Sequence, residues 1–140
     1  MTRDNEASGV RVPAEELDFD DDQIFHYQGT PFTGVAYEDE PDGGGSETAY
    51  VDGLQEGTAR AWYPSGALRS EAPYYRGVGH GRHRGFREDG TLESEKDYEY
   101  GILVEASVFD ASGDVVERFE LSKDNPNFAL LERYRTEFER

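Results

Sequence analysis

The sequence predicts a mainly β protein: a single antiparallel meander of stacked β-hairpins, followed by a C-terminal amphipathic α-helix. Two observations support this fold class. Aromatic residues and glycines recur every 24 positions over most of the chain, and from Asn125 the pattern changes to a helical period. The length of 140 residues matches what one domain commonly holds, so we expect one domain.

The repeat is a 24-residue unit that begins at a tyrosine. Tyr50, Tyr74 and Tyr98 start three successive copies, and glycines, an aromatic residue and a leucine follow at fixed distances. So many coincident matches indicate a true repeat. The structural positions of the repeat are Tyr50, Gly53, Gly57, Trp62, Gly66, Leu68, Tyr74, Gly77, Gly81, Phe86, Gly90, Leu92, Tyr98 and Gly101.

Each unit is predicted to form one β-hairpin. In the copy that begins at Tyr50, two short runs flank Pro64-Ser65-Gly66-Ala67, where Pro and Gly are placed to reverse the chain. The glycines that follow each tyrosine permit positive φ and a close approach of strands. We therefore expect four hairpin repeats, over residues 27–49, 50–73, 74–97 and 98–122, with the outer copies altered as terminal repeats commonly are.

Strand alternation gives the predicted sheet one face with apolar stripes and one charged face. One aromatic residue from each hairpin falls at an equivalent position, which makes a ladder across the sheet. Because stacked aromatic side chains usually belong to a core, we expect this ladder to be the packed spine of the sheet. Its members are Tyr37, Trp62, Phe86 and Phe109.

Residues 123–140 are predicted to form a capping helix. Asn125 is a typical N-cap, and Pro126 falls at the first helical position. An apolar stripe follows at helical spacing, and we expect it to cover the exposed end of the hairpin sheet. The stripe consists of Phe128, Leu131, Tyr134 and Phe138.

The formal net charge of −17 is unevenly distributed along the chain. Residues 1–49 carry thirteen Asp and Glu residues against two Arg, which supplies −11 of the total. Such a charge repels nucleic acids and anionic lipid surfaces, so the sequence predicts no nucleic-acid partner, no direct membrane contact, and a basic protein as the partner. Residues 1–26 are predicted to be an acidic segment that is partly disordered or forms an edge strand.

Two sets of carboxylates are candidates for partner binding. The first is the dense acidic run near the N-terminus, for which a solvated acidic tail is the alternative interpretation. The second lies on the charged face of the predicted sheet. The candidates are Glu15, Glu16, Asp18, Asp20, Asp21 and Asp22 in the run, and Glu71, Glu93, Glu95 and Asp97 on the sheet.

Arginines cluster in the third repeat, at Arg76, Arg82, Arg84 and Arg87. We expect them to pair with neighbouring acidic side chains such as Glu93 and Glu95, because opposite charges across a strand pair stabilise a sheet modestly. Binding of lipid head groups is the alternative.

No catalytic, cofactor-binding or metal site is predicted. The absence of cysteine excludes disulfides, thiolate zinc sites and iron–sulfur clusters. The run from Asp18 does not match a calcium loop, because Gln23 and Gly29 stand where that motif needs Gly and Glu. His80 and His83 are three apart on a strand, which points their rings to opposite faces. Phosphate-binding and serine-hydrolase motifs are absent, so we expect no enzyme and no cofactor.

The stretches Tyr50 to Glu71 and Tyr74 to Glu95 resemble the variant MORN (membrane occupation and recognition nexus) repeat, and Thr30-Pro-Phe-Thr-Gly-Val35 looks like its usual opening phrase. The resemblance covers about residues 27–122. It implies a bacterial antitoxin or immunity protein that neutralises a toxin. With the acidity of the chain, we expect a basic cognate toxin that acts on nucleic acid.

The alternative is a non-enzymatic interaction scaffold or a membrane-associated module of the same repeat type. The first residues lack the apolar stretch of a signal peptide, so the sequence predicts a cytoplasmic protein.

Overall fold

A computed structural model describes residues 10–139, and in it the chain is mainly β with one C-terminal helix, which confirms the predicted fold class. Residues 1–9 of the predicted acidic segment lie outside the described range. Ala14–Glu16 forms a 3-10 turn. The strands are β1 (Arg11–Pro13), β2 (Leu17–Phe19), β3 (Phe25–Tyr27), β4 (Thr30–Pro31), β5 (Gly34–Asp39), β6 (Gly45–Val51), β7 (Leu54–Gln55), β8 (Gly57–Trp62), β9 (Leu68–Tyr75), β10 (Val78–Gly79), β11 (Gly81–Phe86), β12 (Leu92–Glu99), β13 (Ile102–Phe109) and β14 (Val115–Glu120), and the helix is α1 (Pro126–Phe138).

The main sheet has the strand order β1-β5-β6-β8-β9-β11-β12-β13-β14, with the short strands β7 and β10 beside β6 and β9. From β5 onward every pairing is antiparallel, and the four predicted hairpins are β5–β6, β8–β9, β11–β12 and β13–β14. Two features at the N-terminus depart from a single antiparallel meander. Strand β1 pairs with β5 in parallel, and β2, β3 and β4 form a separate three-stranded sheet.

The turn inside each hairpin has the same geometry in all four repeats. In the copy between β8 and β9, Gly66 has a φ of 93°, and its N–H donates to the Tyr63 carbonyl oxygen at 2.8 Å. The Tyr63 N–H in turn donates to the Ala67 carbonyl oxygen at 2.9 Å. This is the hairpin loop in which a left-handed glycine follows a turn. The glycines that occupy the equivalent position are Gly43, Gly66, Gly90 and Gly113.

The turns at the opposite ends of the strands also repeat, and they keep the 24-residue period without interruption. Each has two successive residues with positive φ, which is the type I′ geometry. The backbone N–H of Gly77 donates to the Gln55 carbonyl oxygen at 2.9 Å, and Gly101 repeats this bond to Gly79 at 2.8 Å. Each of these turns therefore stacks on the next, in a row along the ends of the strands. The four turns are Gln28-Gly29, Asp52-Gly53, Arg76-Gly77 and Tyr100-Gly101.

The hydrophobic core lies at the N-terminal end, where the small sheet packs against the first hairpin. Phe32 is only 3% exposed, and its ring centroid lies 5.7 Å from that of Tyr50. Burial raises the pKa of the Tyr50 hydroxyl. The core cluster contains Val12, Phe32, Ala36 and Tyr50, with Ala14, Leu17, Phe25 and Tyr27 packed around it.

The predicted aromatic ladder is not this core. Tyr37, Trp62, Phe86 and Phe109 are all half-buried, because beyond the first hairpin the main sheet has no second sheet over it. The prediction that the ladder is a packed spine was therefore wrong.

Helix α1 begins as predicted, with the Asn125 side chain accepting a hydrogen bond from the Asn127 N–H at 2.9 Å and Pro126 at the first position. Its contacts are with the last type I′ turn. Tyr134 and Phe138 lie 5.9 and 5.6 Å from the Tyr100 ring, centroid to centroid. In the described part of the chain no helix is long and apolar enough to cross a membrane.

The position of α1 corrects the expected capping role. Arg135 makes two hydrogen bonds of 2.8 Å to the Glu99 carboxylate, and this contact holds the pKa of Glu99 below its usual range. The Tyr100 hydroxyl donates to Glu139 at 2.6 Å, which raises the pKa of Tyr100 to about 12. In the apolar stripe Leu131 is 1% exposed, whereas every residue of the final strand β14 remains exposed. The helix covers an outer turn, and it leaves the end of the sheet open.

Candidate functional site

The candidate site lies at the N-terminal end of the main sheet, where β1 runs beside β5. The register places Pro13 next to Tyr37, and the chain then leaves the sheet through the 3-10 turn. This departure opens a cleft of about 520 Å³ beside the end of β5. The lining residues are Pro13, Ala14, Glu15, Tyr37, Glu38 and Asp39. Three of the six are acidic, so the cleft favours cationic groups.

Further exposed carboxylates follow the cleft along the chain, in the 3-10 turn, in β2 and in the turn after β2. That last turn lies beside Gly53, whose carbonyl oxygen accepts from the Phe25 N–H at 2.9 Å, and so at the opposite end of β5 from Asp39. We call the following set the acidic end: Glu15, Glu16, Asp18, Asp21, Asp22, Glu38 and Asp39, all of them exposed. Within residues 10–139 none of these seven forms an ion pair. Within the described residues, no ion pair compensates their negative charge.

Arg11 is the one Lys or Arg residue between positions 10 and 49, and it is already engaged. Its guanidinium lies 2.8 Å from a carboxylate oxygen of Glu47, which is 3% exposed, and 5.1 Å from the ring centroid of Tyr37. A buried carboxylate needs a partner of opposite charge, so this arginine is held by the fold. It does not neutralise the acidic end.

Asp20 belongs to the predicted acidic run, but the structure gives it an internal role. One of its carboxylate oxygens accepts hydrogen bonds from the N–H groups of Asp22 and Ile24, both at 2.9 Å, and the other lies 3.2 Å from Nε2 of His26. These contacts shape the turn between β2 and β3, where Gln23 has a φ of 64°. Asp20 is therefore a turn residue, and we leave it out of the acidic end.

An exposed aromatic residue stands among these carboxylates. Phe19 is 58% exposed, and its ring packs on one side against Phe25 at a centroid distance of 4.6 Å. Aromatic side chains at protein interfaces often contribute a large share of the binding energy. Phe19 therefore gives the acidic end an apolar contact point.

The second set of predicted carboxylates lies far along the sheet, in a network of ion pairs. Arg82 lies 2.8 Å from Asp97 and 3.8 Å from Glu95, while Arg84 lies 3.1 Å from Glu95 and 3.5 Å from Glu71. The expected pairing of these two arginines with neighbouring carboxylates is confirmed. Glu71, Glu95 and Asp97 are thereby ion-paired within the sheet, three carboxylates sharing two arginines.

The strand register explains that network. Arg60 faces both Glu47 and Glu71 on its neighbouring strands, and Arg84 faces both Glu71 and Glu95. One row across five strands thus alternates in sign. Opposite charges on directly facing residues stabilise a sheet, so this row has a structural explanation. Of the predicted sheet-face candidates only Glu93 remains exposed and outside the ion pairs of the described residues.

The other two arginines of the cluster have different contacts. Arg76 lies over the Tyr75 ring at 5.7 Å. Arg87 donates to the backbone carbonyl oxygens of Leu92, at 3.3 Å, and Phe109. Their expected pairing with Glu93 and Glu95 does not occur in this structure. The guanidinium groups contact a tyrosine ring and backbone carbonyl oxygens instead.

Both histidines of the third repeat are engaged with the backbone. Nδ1 of His80 accepts a hydrogen bond from the Tyr100 N–H at 2.9 Å, and Nε2 of His83 lies 3.1 Å from the Pro73 carbonyl oxygen. Burial lowers the pKa of His83. Among the described residues no group of three or more potential ligands is placed to hold a metal ion.

Sequence reasoning did not single out Glu38 and Asp39. They lie in the first 49 residues, whose charge excess was recognised, but outside the contiguous acidic run. Their proximity to Glu15 depends on the parallel pairing of β1 with β5, for which the sequence contains no local signal.

Comparison with known proteins adds little. No family model and no curated protein matches the chain. Among solved structures, the crystal structure of accessory secretory protein 1, 2 and 3 in Streptococcus pneumoniae contains a chain that aligns with a TM-score of 0.38 and 14% identity. The alignment covers 80% of this chain and 19% of that one, so the chain spans about a fifth of the length of its structural neighbour. A likeness of this size bears on neither fold nor function.

Proposed function

We propose that this protein is a non-enzymatic binding protein that covers the basic surface of a partner protein with its acidic end. The observation that supports this is the contrast in pairing. Seven exposed carboxylates at the acidic end lack ion pairs within the described residues, while Glu71, Glu95 and Asp97 of the central sheet face are paired. An unneutralised cluster of one sign attracts and orients a partner of the opposite sign.

The finer proposal is that the partner is a toxin and that this chain is its antitoxin or immunity protein. Two sequence features support it, namely the resemblance to variant MORN repeats and the net charge of −17. A toxin that acts on nucleic acid needs a cationic substrate site, because the phosphate backbone dominates such binding. Carboxylates converging on one cleft would occupy that site in place of phosphates.

The test begins with capture of a basic protein by the intact chain, followed by an assay of the captured protein on RNA and DNA. Two variants with equal charge changes are compared. The acidic-end variant carries Glu15→Gln, Glu16→Gln, Glu38→Gln and Asp39→Asn. The control variant neutralises four exposed carboxylates elsewhere, through Glu88→Gln, Asp124→Asn, Glu132→Gln and Glu137→Gln.

The proposal expects the wild-type chain and the control variant to suppress nuclease or deaminase activity at equimolar ratio, and the acidic-end variant to fail. Capture without any inhibition would favour the interaction-scaffold alternative over the antitoxin role. Equal inhibition by both variants would contradict the assignment of the acidic end as the binding surface.

A further inference from the structure

The last strand of the main sheet, β14, is an uncovered edge. It pairs with β13 on one side only, and all six of its residues are exposed. Val115, Val116 and Phe119 are 48%, 57% and 39% exposed. Natural edge strands are usually protected by charged side chains, proline, a β-bulge or a covering element. Strand β14 has three charged residues and a bulge opposite Val108, but it has no proline, and no described residue pairs with its outer side. The other end of the sheet differs, because Val12 in β1 is buried.

The hydrogen-bond register shows which backbone groups of β14 are free. The Leu121 N–H donates to the Val104 carbonyl oxygen at 2.8 Å, while Glu120 faces Glu105 directly. In an antiparallel pair, a bond from the N–H of the residue after one facing residue to the carbonyl oxygen of the residue before the other shows that the facing residues do not bond each other. Glu120 and Glu105 are therefore a non-hydrogen-bonded pair. Alternate residues then point away from β13 as far as the β-bulge at Val116, so the N–H and C=O groups of Arg118 and Glu120 project from the open edge.

The charges around this edge are predominantly negative. Residues 98–122 contain six Asp and Glu residues and one Arg. Arg118 lies 3.6 Å from Glu120 on the same strand, and Glu117 and Glu105 form no ion pair within residues 10–139. The edge therefore favours an incoming strand with positive charge.

A second copy of this chain is a poor occupant for the edge. Two identical antiparallel strands related by a two-fold axis place the central residue opposite its own copy. Centring on Glu117 or Arg118 opposes like charges, whereas centring on Phe119 would place Arg118 opposite Glu120 of the other copy. Like charges directly opposite each other destabilise a strand pair. The net charge of −17 on each copy adds to the repulsion.

We propose that β14 is a strand-addition site for an extended segment of a basic partner protein. An antiparallel segment would place Lys or Arg opposite Glu120 and Glu117, and apolar residues opposite Phe119 and Val116. Read along the incoming segment, this gives the pattern basic, apolar, any residue, basic, apolar. Backbone hydrogen bonds provide the attachment, and the facing side chains select the sequence.

The probe for this proposal is the peptide acetyl-Thr-Lys-Val-Glu-Lys-Val-Thr-amide, titrated into the full chain by NMR. Its control is the charge-reversed peptide, in which Lys and Glu exchange places. The amides of Arg118 and Glu120 are the reporters, because they gain hydrogen-bond partners only when a strand is added. We expect large shifts and slowed hydrogen exchange at these two amides, and binding about tenfold tighter than for the control peptide.

Two substitutions at one position separate backbone pairing from charge. Arg118→Pro removes an outward donor without removing a hydrogen bond to β13, whereas Arg118→Ala removes the same charge and keeps the donor. The account expects Arg118→Pro to weaken peptide binding about tenfold or more, and Arg118→Ala to change it by no more than about threefold. A thermal melt of both variants verifies that they are folded.

The acidic-end variant described above distinguishes failure of this proposal from failure of the proposed binding function, because none of its substitutions lies in β14. The peptide should bind that variant as it binds the wild type. Shifts confined to the acidic end, or equal binding by the Arg118→Pro and Arg118→Ala variants, would overturn the proposal. So would self-association of the wild-type chain that Arg118→Pro abolishes, because the edge would then belong to a second copy.

Discussion

The N-terminal end and the central repeats are stabilised in different ways, although both belong to one sheet. At the N-terminal end, a second sheet covers the first hairpin and buries Phe32, Ala36 and Tyr50. Between Val51 and Gly101 the structure fully buries Gly53 and no side chain. The central repeats therefore depend on strand hydrogen bonds, stacked turns, facing charge pairs and half-buried ring contacts such as those of His83 with Tyr74 and Tyr98.

Charge follows the same division. In the central repeats, Arg82 and Arg84 form ion pairs with carboxylates on the neighbouring strands. At the acidic end the fold itself is held by apolar contacts, so its exposed carboxylates need no partner within the chain. Within the described residues, the carboxylates with a structural role in the central sheet are paired, whereas those of the acidic end are not.

The largest expected effect comes from the core. Phe32→Ala should cost about 3–5 kcal/mol of unfolding free energy, because it removes a buried ring from the contact with Tyr50. Trp62→Ala should cost clearly less, about 1–2 kcal/mol, because Trp62 is half-buried. Urea denaturation of both variants measures the difference. A Trp62 variant as unstable as the Phe32 variant would remove the distinction between the two regions.

Leu131→Ala tests the opposite end of the chain. Leu131 is 1% exposed, so its truncation should cost about 2–4 kcal/mol. Light scattering should find this variant in the same association state as the wild type, because the helix does not cover β14. Aggregation of the folded variant would show that the helix protects the sheet edge after all.

The fold class and the turns were predictable because they depend on local sequence. The left-handed glycines and the period of 24 define both kinds of turn, and Asn125 with Pro126 defines the helix start. The N-terminal packing was not predictable, since residues 11–26 carry no repeat and β1 pairs with a distant strand. The position of helix α1 on the sheet depends on the contact of Arg135 with Glu99, 36 positions earlier in the chain. No local sequence pattern predicts that contact.

Removing a charge should have opposite effects in the two regions. Arg84→Gln should cost about 1 kcal/mol, because it removes the cation between Glu71 and Glu95 and leaves them only their second neighbours, Arg60 and Arg82. Glu38→Gln together with Asp39→Asn should leave stability unchanged or raise it by about 0.5 kcal/mol, because it relieves repulsion at the acidic end. Chemical denaturation at low salt measures both. Destabilisation by the acidic-end pair would show that those carboxylates have partners in the fold.

A smaller effect is expected from pH. Burial lowers the pKa of His83, so below about 6.5 the unfolded chain binds a proton more readily than the folded chain does. The contribution of His83 to stability should therefore fall as pH decreases from about 6.5 to the folded-state pKa. His83→Gln should remove this part of the pH dependence. Parallel stability profiles for the two proteins over that range would contradict the assignment.

The most direct test of the central claim is the rate at which the captured basic partner associates with the chain as salt concentration rises. Steering between opposite charges is screened over a Debye length of about 8 Å at physiological ionic strength. We predict a steep fall in the association rate for the wild type and the control variant, and a clearly shallower fall for the acidic-end variant. Identical salt dependence in all three proteins would contradict the account, and the acidic end would then serve solubility alone.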